Sequence, residues 1–136
     1  MVLSALPPLP DADISSAGFF AALAEHHIEL QQCANCSVVQ IARLTCDNCA
    51  YDAFDIRTAA GDGTIYSFTR IHLVYHPAFE NSVPYAAGIV ELDEGPRIFA
   101  PISASEHVRV GARVLLEFIT FGDRAIPSFR AYGERR

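Results

Sequence analysis

The chain has no lysine. Its ten basic residues are all arginines, set against sixteen aspartates and glutamates, for a formal net charge of −6. Nucleic-acid binding draws on a basic stripe that displaces counterions from the phosphate backbone. Here the arginines are scattered, with only Arg135 and Arg136 adjacent, and a nucleic-acid partner is disfavoured. No apolar run approaches the roughly 18 residues that span a bilayer, so no membrane association is expected. No basic residue precedes the short apolar stretch at the N-terminus, which therefore does not read as a secretory signal. A cytoplasmic location is the expectation. Internal repeats and low-complexity tracts are absent as well.

What the chain does contain is four cysteines, all in two hooks: Cys33-Ala34-Asn35-Cys36 and Cys46-Asp47-Asn48-Cys49. Four sulfurs in two C-x-x-C hooks can surround one ion tetrahedrally, and Zn²⁺ on four thiolates is the usual result. In the reducing cytosol such pairs favour metal over disulfides. The expected cofactor is one structural Zn²⁺ per chain, on Cys33, Cys36, Cys46 and Cys49. So small a module has almost no core, and metal binding must supply most of its folding energy, on the order of 10 kcal/mol. Ser37 and Ala50 follow the hooks, where glycine is common because the backbone often turns through positive φ.

At 136 residues and 51% hydrophobic content, the chain can form one ordinary core plus a small appendage, but not two full domains. The segment Pro7-Pro8-Leu9-Pro10 reads as an extended arm. Asp13 or Ser16 can cap a helix running to about His27, with Phe19, Phe20, Leu23 and His27 on one apolar face. That face either packs on its own domain or docks a partner. Residues 29–50 form the metal ribbon, with a returning strand near Val38 to Ile41. From about Arg57 onward the pattern is β, with strands expected at 64–72, 85–92, 97–103, 112–121 and 126–132, and a long loop at 73–84. Five strands with loops of unequal length fit a Greek-key barrel of the OB type, with an SH3-like barrel as competitor. The expected class is mainly β, divided into an arm and helix (1–28), a zinc ribbon (29–56) and a five-stranded OB barrel (57–136).

The order of motifs resembles a known family. An amphipathic helix precedes a rubredoxin-like ribbon. Then come Gly63-Thr64-Ile65-Tyr66-Ser67-Phe68-Thr69, Pro84-Tyr85, Val90-Glu91-Leu92-Asp93-Glu94-Gly95, Val110-Gly111 and Phe129-Arg130. Together these are similar to the acyl-CoA-associated zinc-ribbon/OB-fold proteins, once known as a domain of unknown function. The departures are Ser37, Ala50, and Ala42 where the family usually has proline before arginine. The resemblance implies an accessory subunit of thiolases, thiolase-like acyltransferases, steroid side-chain aldolases or MaoC-like hydratases. In such proteins ribbon and helix dock on the enzyme, and the barrel lies near the acyl-CoA path in lipid and steroid metabolism. A stand-alone acyl-CoA-binding protein is the alternative, and self-association into a homo-oligomer stays open.

The residues agree with non-catalytic work: the cysteines are committed to metal, and Ser103 and Ser105 lie in no nucleophile-elbow motif. No catalytic residue is assigned. His72 and His76 flank Tyr75 and can do acid–base work or bind phosphate, although loop packing and solvent contact is the favoured reading. Arg70 and Arg97 can hold CoA phosphates or be plain strand-surface arginines. Tyr75, Phe79 and Tyr85 can contact a partner or the pantetheine arm, or cover one end of the barrel. Phe19 and Phe20 complete the candidate contacts. The acidic pair Asp93-Glu94 reads as a solvated turn.

Overall fold

Apolar residues at three- and four-residue spacing give way to alternating β-branched and aromatic runs after the hooks, and the architecture follows that change of period. The computed structural model describes residues 11–133, so the Pro7 to Pro10 arm and the Arg135-Arg136 pair lie outside the described residues. The elements are α1 (Ala17–Ala24), β1 (Glu29–Cys33), β2 (Val39–Gln40), β3 (Phe54–Thr58), β4 (Asp62–Ile71), β5 (Tyr85–Leu92), β6 (Arg97–Ser103), β7 (Arg113–Phe121) and β8 (Arg124–Tyr132). Short 3-10 turns lie at Pro77–Phe79 and Ser105–His107.

α1 stops three residues short of the His27 expected from the apolar spacing. Asp13 organises its start: Oδ1 accepts hydrogen bonds from the backbone N–H and hydroxyl of both Ser15 and Ser16. At the other end His26 adopts φ 63°. The His27 N–H donates to the Ala22 carbonyl and the His26 N–H to that of Leu23. This is a Schellman closure with histidine where glycine is usual, and it ends the helix whatever the side-chain pattern beyond it. The His26 ring stacks on Phe118 with centroids 5.1 Å apart.

The ribbon sheet has order β2-β1-β3, all antiparallel. Its third strand, β3, had no clear period in the sequence. It forms because the chain leaving the second hook runs back along β1, pairing Cys33 with Phe54 through Glu29 with Thr58.

The remaining strands close a barrel in the order β4-β5-β6-β8-β7. β6 and β8 run parallel through Ile102↔Phe129 and Ser103↔Arg130, and every other neighbouring pair is antiparallel. A parallel pairing of third and fifth barrel strands is the OB arrangement, so the SH3-like alternative falls away. Inside lie Ile65, Val90, Leu92, Val114 and Phe129, each no more than 1% exposed. Leu23 of α1 and Ile28 and Leu30 beside and within β1 belong to the same hydrophobic cluster, so helix, ribbon and barrel share one core. At the β4 bulge between Ile65 and Ser67, Gly88 of β5 lies so close that an added Cβ would clash with the Ser67 carbonyl oxygen and the Phe68 backbone.

Candidate functional site

The first cluster is the cysteine quartet. Its four Sγ atoms all lie within 4.8 Å of one another. Cys33 and Cys49 are 3.6 Å apart, and Cys36 and Cys46 3.5 Å. A disulfide needs about 2.05 Å, whereas thiolates on a tetrahedral ion at about 2.3 Å sit roughly 3.8 Å apart. The donor set therefore fits a four-thiolate metal centre. Backbone N–H groups of Asn35 and Cys36 point at Cys33 Sγ, and that of Asn48 at Cys46 Sγ, at 3.4–3.5 Å. Such bonds stabilise negative sulfur.

The two hooks are chemically crossed. Asn35, in the third position of the first hook, donates its side-chain amide to Cys49 Sγ at 3.5 Å. Asn48, the equivalent residue of the second hook, hydrogen-bonds Cys36 and is the main reason that thiol is pulled down to about 6. Cys49 is lowered chiefly by Asn35. Cys46 moves the other way: the Cys49 backbone N–H lowers it, but burial and the Cys36 and Cys33 thiols hold it at about 11. Thiols lowered in this way are prepared to release the protons that metal binding displaces. Ser37 and Ala50, just after the hooks, take φ 67° and 64°. Ala42 takes φ 48°, which a proline ring, fixed near −65°, does not allow.

The other candidate residues fall in three places. Arg70, at the end of β4, lines a pocket of about 220 Å³ together with Tyr85 and the stretch 101–105 at the end of β6. Its Nη2 donates to the Ser105 carbonyl at 3.2 Å, and its guanidinium lies 5.7 Å from the Phe68 ring centre. Tyr85 continues outward into an aromatic group: Phe79 stacks on it at 5.8 Å, and His76 meets Phe79 edge-on at 6.5 Å. Burial, and then Tyr75 nearby, raise the Tyr85 phenol, which therefore stays protonated. His76 Nδ1 accepts the Ala78 N–H at 3.0 Å and so caps the Pro77–Phe79 turn. Tyr75 itself is 75% exposed, and His72 is exposed too.

Arg97 stands at the other end of β6, about 20 Å along the strand from Ser103. It donates Nε to Glu91 at 3.0 Å and stacks its guanidinium 3.7 Å over the Tyr66 ring. With Pro96 and the ribbon residues Val38 to Ile41 it lines a groove of about 420 Å³ between ribbon and barrel. Phe19 and Phe20 are partly buried against the common core, their rings edge-to-face at 5.7 Å.

Asp93-Glu94 is more than a solvated turn. Asp93 takes a two-pronged ion pair from Arg113 at 2.8 Å on each oxygen, and Glu94 accepts the Ala60 N–H at 2.7 Å. The pocket serine Ser128 is not legible in the sequence, because only the parallel β6–β8 pairing brings residue 128 beside residue 101; Ser82 joins the pocket from the long loop.

Residues 57–118 match a family model described as the ChsH2 C-terminal OB-fold domain. The chain superposes on a chain of the Ltp2-ChsH2(DUF35) aldolase with TM-score 0.80 and 30% identity, covering 90% of this chain and 98% of that one. It belongs to the DUF35 OB-fold family. A DUF35 protein of unknown function from Sulfolobus solfataricus shares the fold at TM-score 0.68 and 16% identity, over 88% of this chain and 86% of that one. Among curated relatives, this DUF35 chain is 32% identical over 130 residues to a "Probable enoyl-CoA hydratase alpha subunit" of Thermomonospora curvata. It is 33% identical over 87 residues to a "DUF35 domain-containing scaffold protein" of Methanocaldococcus jannaschii. These matches take in 93% and 61% of this chain, and the chain spans 40% and 61% of the two relatives' own lengths. Among the described residues no helix is long and apolar enough to cross a membrane.

Proposed function

We propose that this chain is an accessory zinc-ribbon/OB-fold subunit that docks on a thiolase-type enzyme, a thiolase-like aldolase or a MaoC-like hydratase and helps hold or pass an acyl-CoA. The observation that carries this reading is the likeness, over nearly the whole chain, to a chain of an aldolase that carries the DUF35 name. A relative named as a hydratase subunit points the same way. The surface supports it. Leu73, Val74 and Tyr75 run consecutively through the long loop at 66%, 49% and 75% exposure, and Phe99 on β6 is 65% exposed. Exposed apolar side chains favour a covering partner, at roughly 25 cal/mol per Å² removed from water. In this reading residues 1–28 are arm and helix, 29–56 the ribbon and 57–136 the barrel.

Co-expression with a thiolase-like or MaoC-like enzyme encoded beside it tests the proposal. A stable complex is expected, with partner activity lowered when this subunit is left out. Absence of any complex, together with full partner activity alone, overturns it. Tyr75→Asp in the exposed loop should weaken the complex while leaving the fold intact by circular dichroism.

The metal of the ribbon is proposed to be zinc, one ion per chain, because four thiolates suit a borderline-soft ion with no geometric preference of its own. Elemental analysis of freshly reduced protein should find about one zinc per chain, and Cys33→Ser should lose it.

A second reading, a free-standing acyl-CoA-binding protein, draws on the groove at Arg97, whose 420 Å³ is within the size of ligand sites. Calorimetric titration of the isolated chain with acyl-CoAs separates the two. Micromolar binding favours the second, and none up to millimolar removes it.

A further inference from the structure

Arg70 differs from four other arginines of the chain in what it touches. Arg43, Arg97, Arg113 and Arg130 each hold a carboxylate: Asp47, Glu91, Asp93 and Glu117. Arg70 has a backbone carbonyl and the Phe68 ring instead. In a chain with sixteen acids to ten arginines, that separation calls for a reason. The pocket around Arg70 contains no acidic residue. Its polar lining is Ser82, Ser103, Ser105, Ser128 and Tyr85, of which Ser103 and Ser128 donate their hydroxyls to the Phe129 and Pro101 carbonyls, and its remaining wall is alanine, proline and isoleucine. The single bond to Ser105 fixes one edge of the guanidinium and leaves further N–H donors of its fork available. Ala104, held at φ 63° between β6 and the Ser105–His107 turn, places that carbonyl. At about 220 Å³ the pocket is below the roughly 300–1,000 Å³ of sites that enclose whole drug-sized ligands. It suits a small group, or one end of a longer molecule.

We propose that this pocket is an oxyanion site, in which Arg70, with the hydroxyls of Ser105 and Tyr85, binds a phosphate monoester or carboxylate group. A fixed cation, neutral hydroxyl donors and no competing carboxylate are the chemistry such a group requires. The oxyanion comes either from a small free acid or from a phosphate of a CoA-type ligand. In the second case the inference rests on the acyl-CoA reading above; in the first it stands apart from it.

The test is a titration of the isotope-labelled, metal-loaded full chain with inorganic phosphate, followed through the backbone amide signals of Ser103, Ala104 and Ser105. Saturable shifts are expected. Arg70→Gln should weaken binding roughly tenfold or more, the loss expected for one charged hydrogen-bonding group. Arg70→Lys should recover part of it, since it keeps the charge and loses the fork. Arg57→Gln, which makes the same change in net charge on β3, should leave binding as it was. Shifts that do not saturate by tens of millimolar, or that are the same in Arg70→Gln, overturn the site. The well-dispersed spectrum of each variant shows that it has folded. Coenzyme A and acetate are then added as competitors. Displacement of phosphate by coenzyme A identifies the CoA source; displacement by acetate alone supports the pocket while counting against the acyl-CoA reading.

Discussion

Ser37 and Ala50 occupy the left-handed region at equivalent places after the two hooks, and each is a residue with a Cβ where glycine would be at ease. A left-handed residue costs roughly 1–2 kcal/mol when a side chain is present, part of which glycine gives back through its freer unfolded chain. Ser37→Gly and Ala50→Gly should therefore each stabilise the metal-loaded protein by about 0.5–1 kcal/mol in chemical unfolding. A drop in stability for both would show that the strain is absorbed elsewhere. The Asp93–Arg113 pair gives a pH signature. Hydrogen bonds from Arg113 hold the Asp93 carboxyl below its ordinary value of 3.8. A carboxyl depressed in the folded state adds stability above its unfolded value, and loses it as pH falls through the folded one. The Asp93 side chain is about half exposed and that of Arg113 about a third, so solvent screens the pair and the contribution is at most about 1 kcal/mol. Asp93→Asn should be less stable than the parent at neutral pH, and the gap should close as pH falls through the lowered value of the folded Asp93 carboxyl. A gap that persisted in acid would mean that packing, not charge, is what the substitution removes. The hooks were legible in sequence because their geometry is local: two residues between cysteines set the knuckle. That Arg70 and Arg97 belong to different pockets was not, since it depends on which end of β6 each one meets.

The strands show what patterning can and cannot reach. β5 and β6 occupy the residues expected of them, because each lies between turn signals; β6 alternates between its two faces, whereas β5 is buried on both at Ala86 to Gly88. β3 has no buried face: four of its five residues are exposed, and only its pairing with β1 makes it a strand. The barrel order was likewise out of reach, since the parallel β6–β8 contact joins segments with a whole strand between them. α1 ended early for a backbone reason, the left-handed His26, which no hydrophobic period encodes. Gly88 puts these ideas at the element scale to a test. Its missing side chain lets β5 approach the β4 bulge, and an alanine methyl there would meet backbone, which cannot rotate away. Gly88→Ala should cost about 1–3 kcal/mol, the range for overpacking a close contact. The loss should appear as faster hydrogen exchange along β4 and β5. An unchanged midpoint would show that the bulge can open at no cost.

On the scale of the whole molecule, the decisive feature is that metal module and barrel are not separate bodies. Ile28 and Leu30 are fully buried in a cluster that also holds Val90, Val114 and Phe129. The Ala59 N–H donates to the Ile28 carbonyl where the chain passes from ribbon to barrel. β1 therefore has two anchors, the cysteine quartet at its C-terminal end and the barrel core at its N-terminal end. Removing the metal takes away the first, worth on the order of 10 kcal/mol to a module with almost no core of its own. The second remains. A strong chelator should accordingly abolish amide protection across 33–53, leave β5 and β7 protected, and lower the barrel's thermal midpoint through the loosened β1. Leu30→Ala, which opens a cavity at the shared core, should cost about 2–5 kcal/mol and narrow the difference between metal-loaded and metal-free barrel, because the link between them is already weakened. If chelation instead erased protection in ribbon and barrel together, the two would form a single cooperative unit, and the metal would govern the barrel face as well as the ribbon.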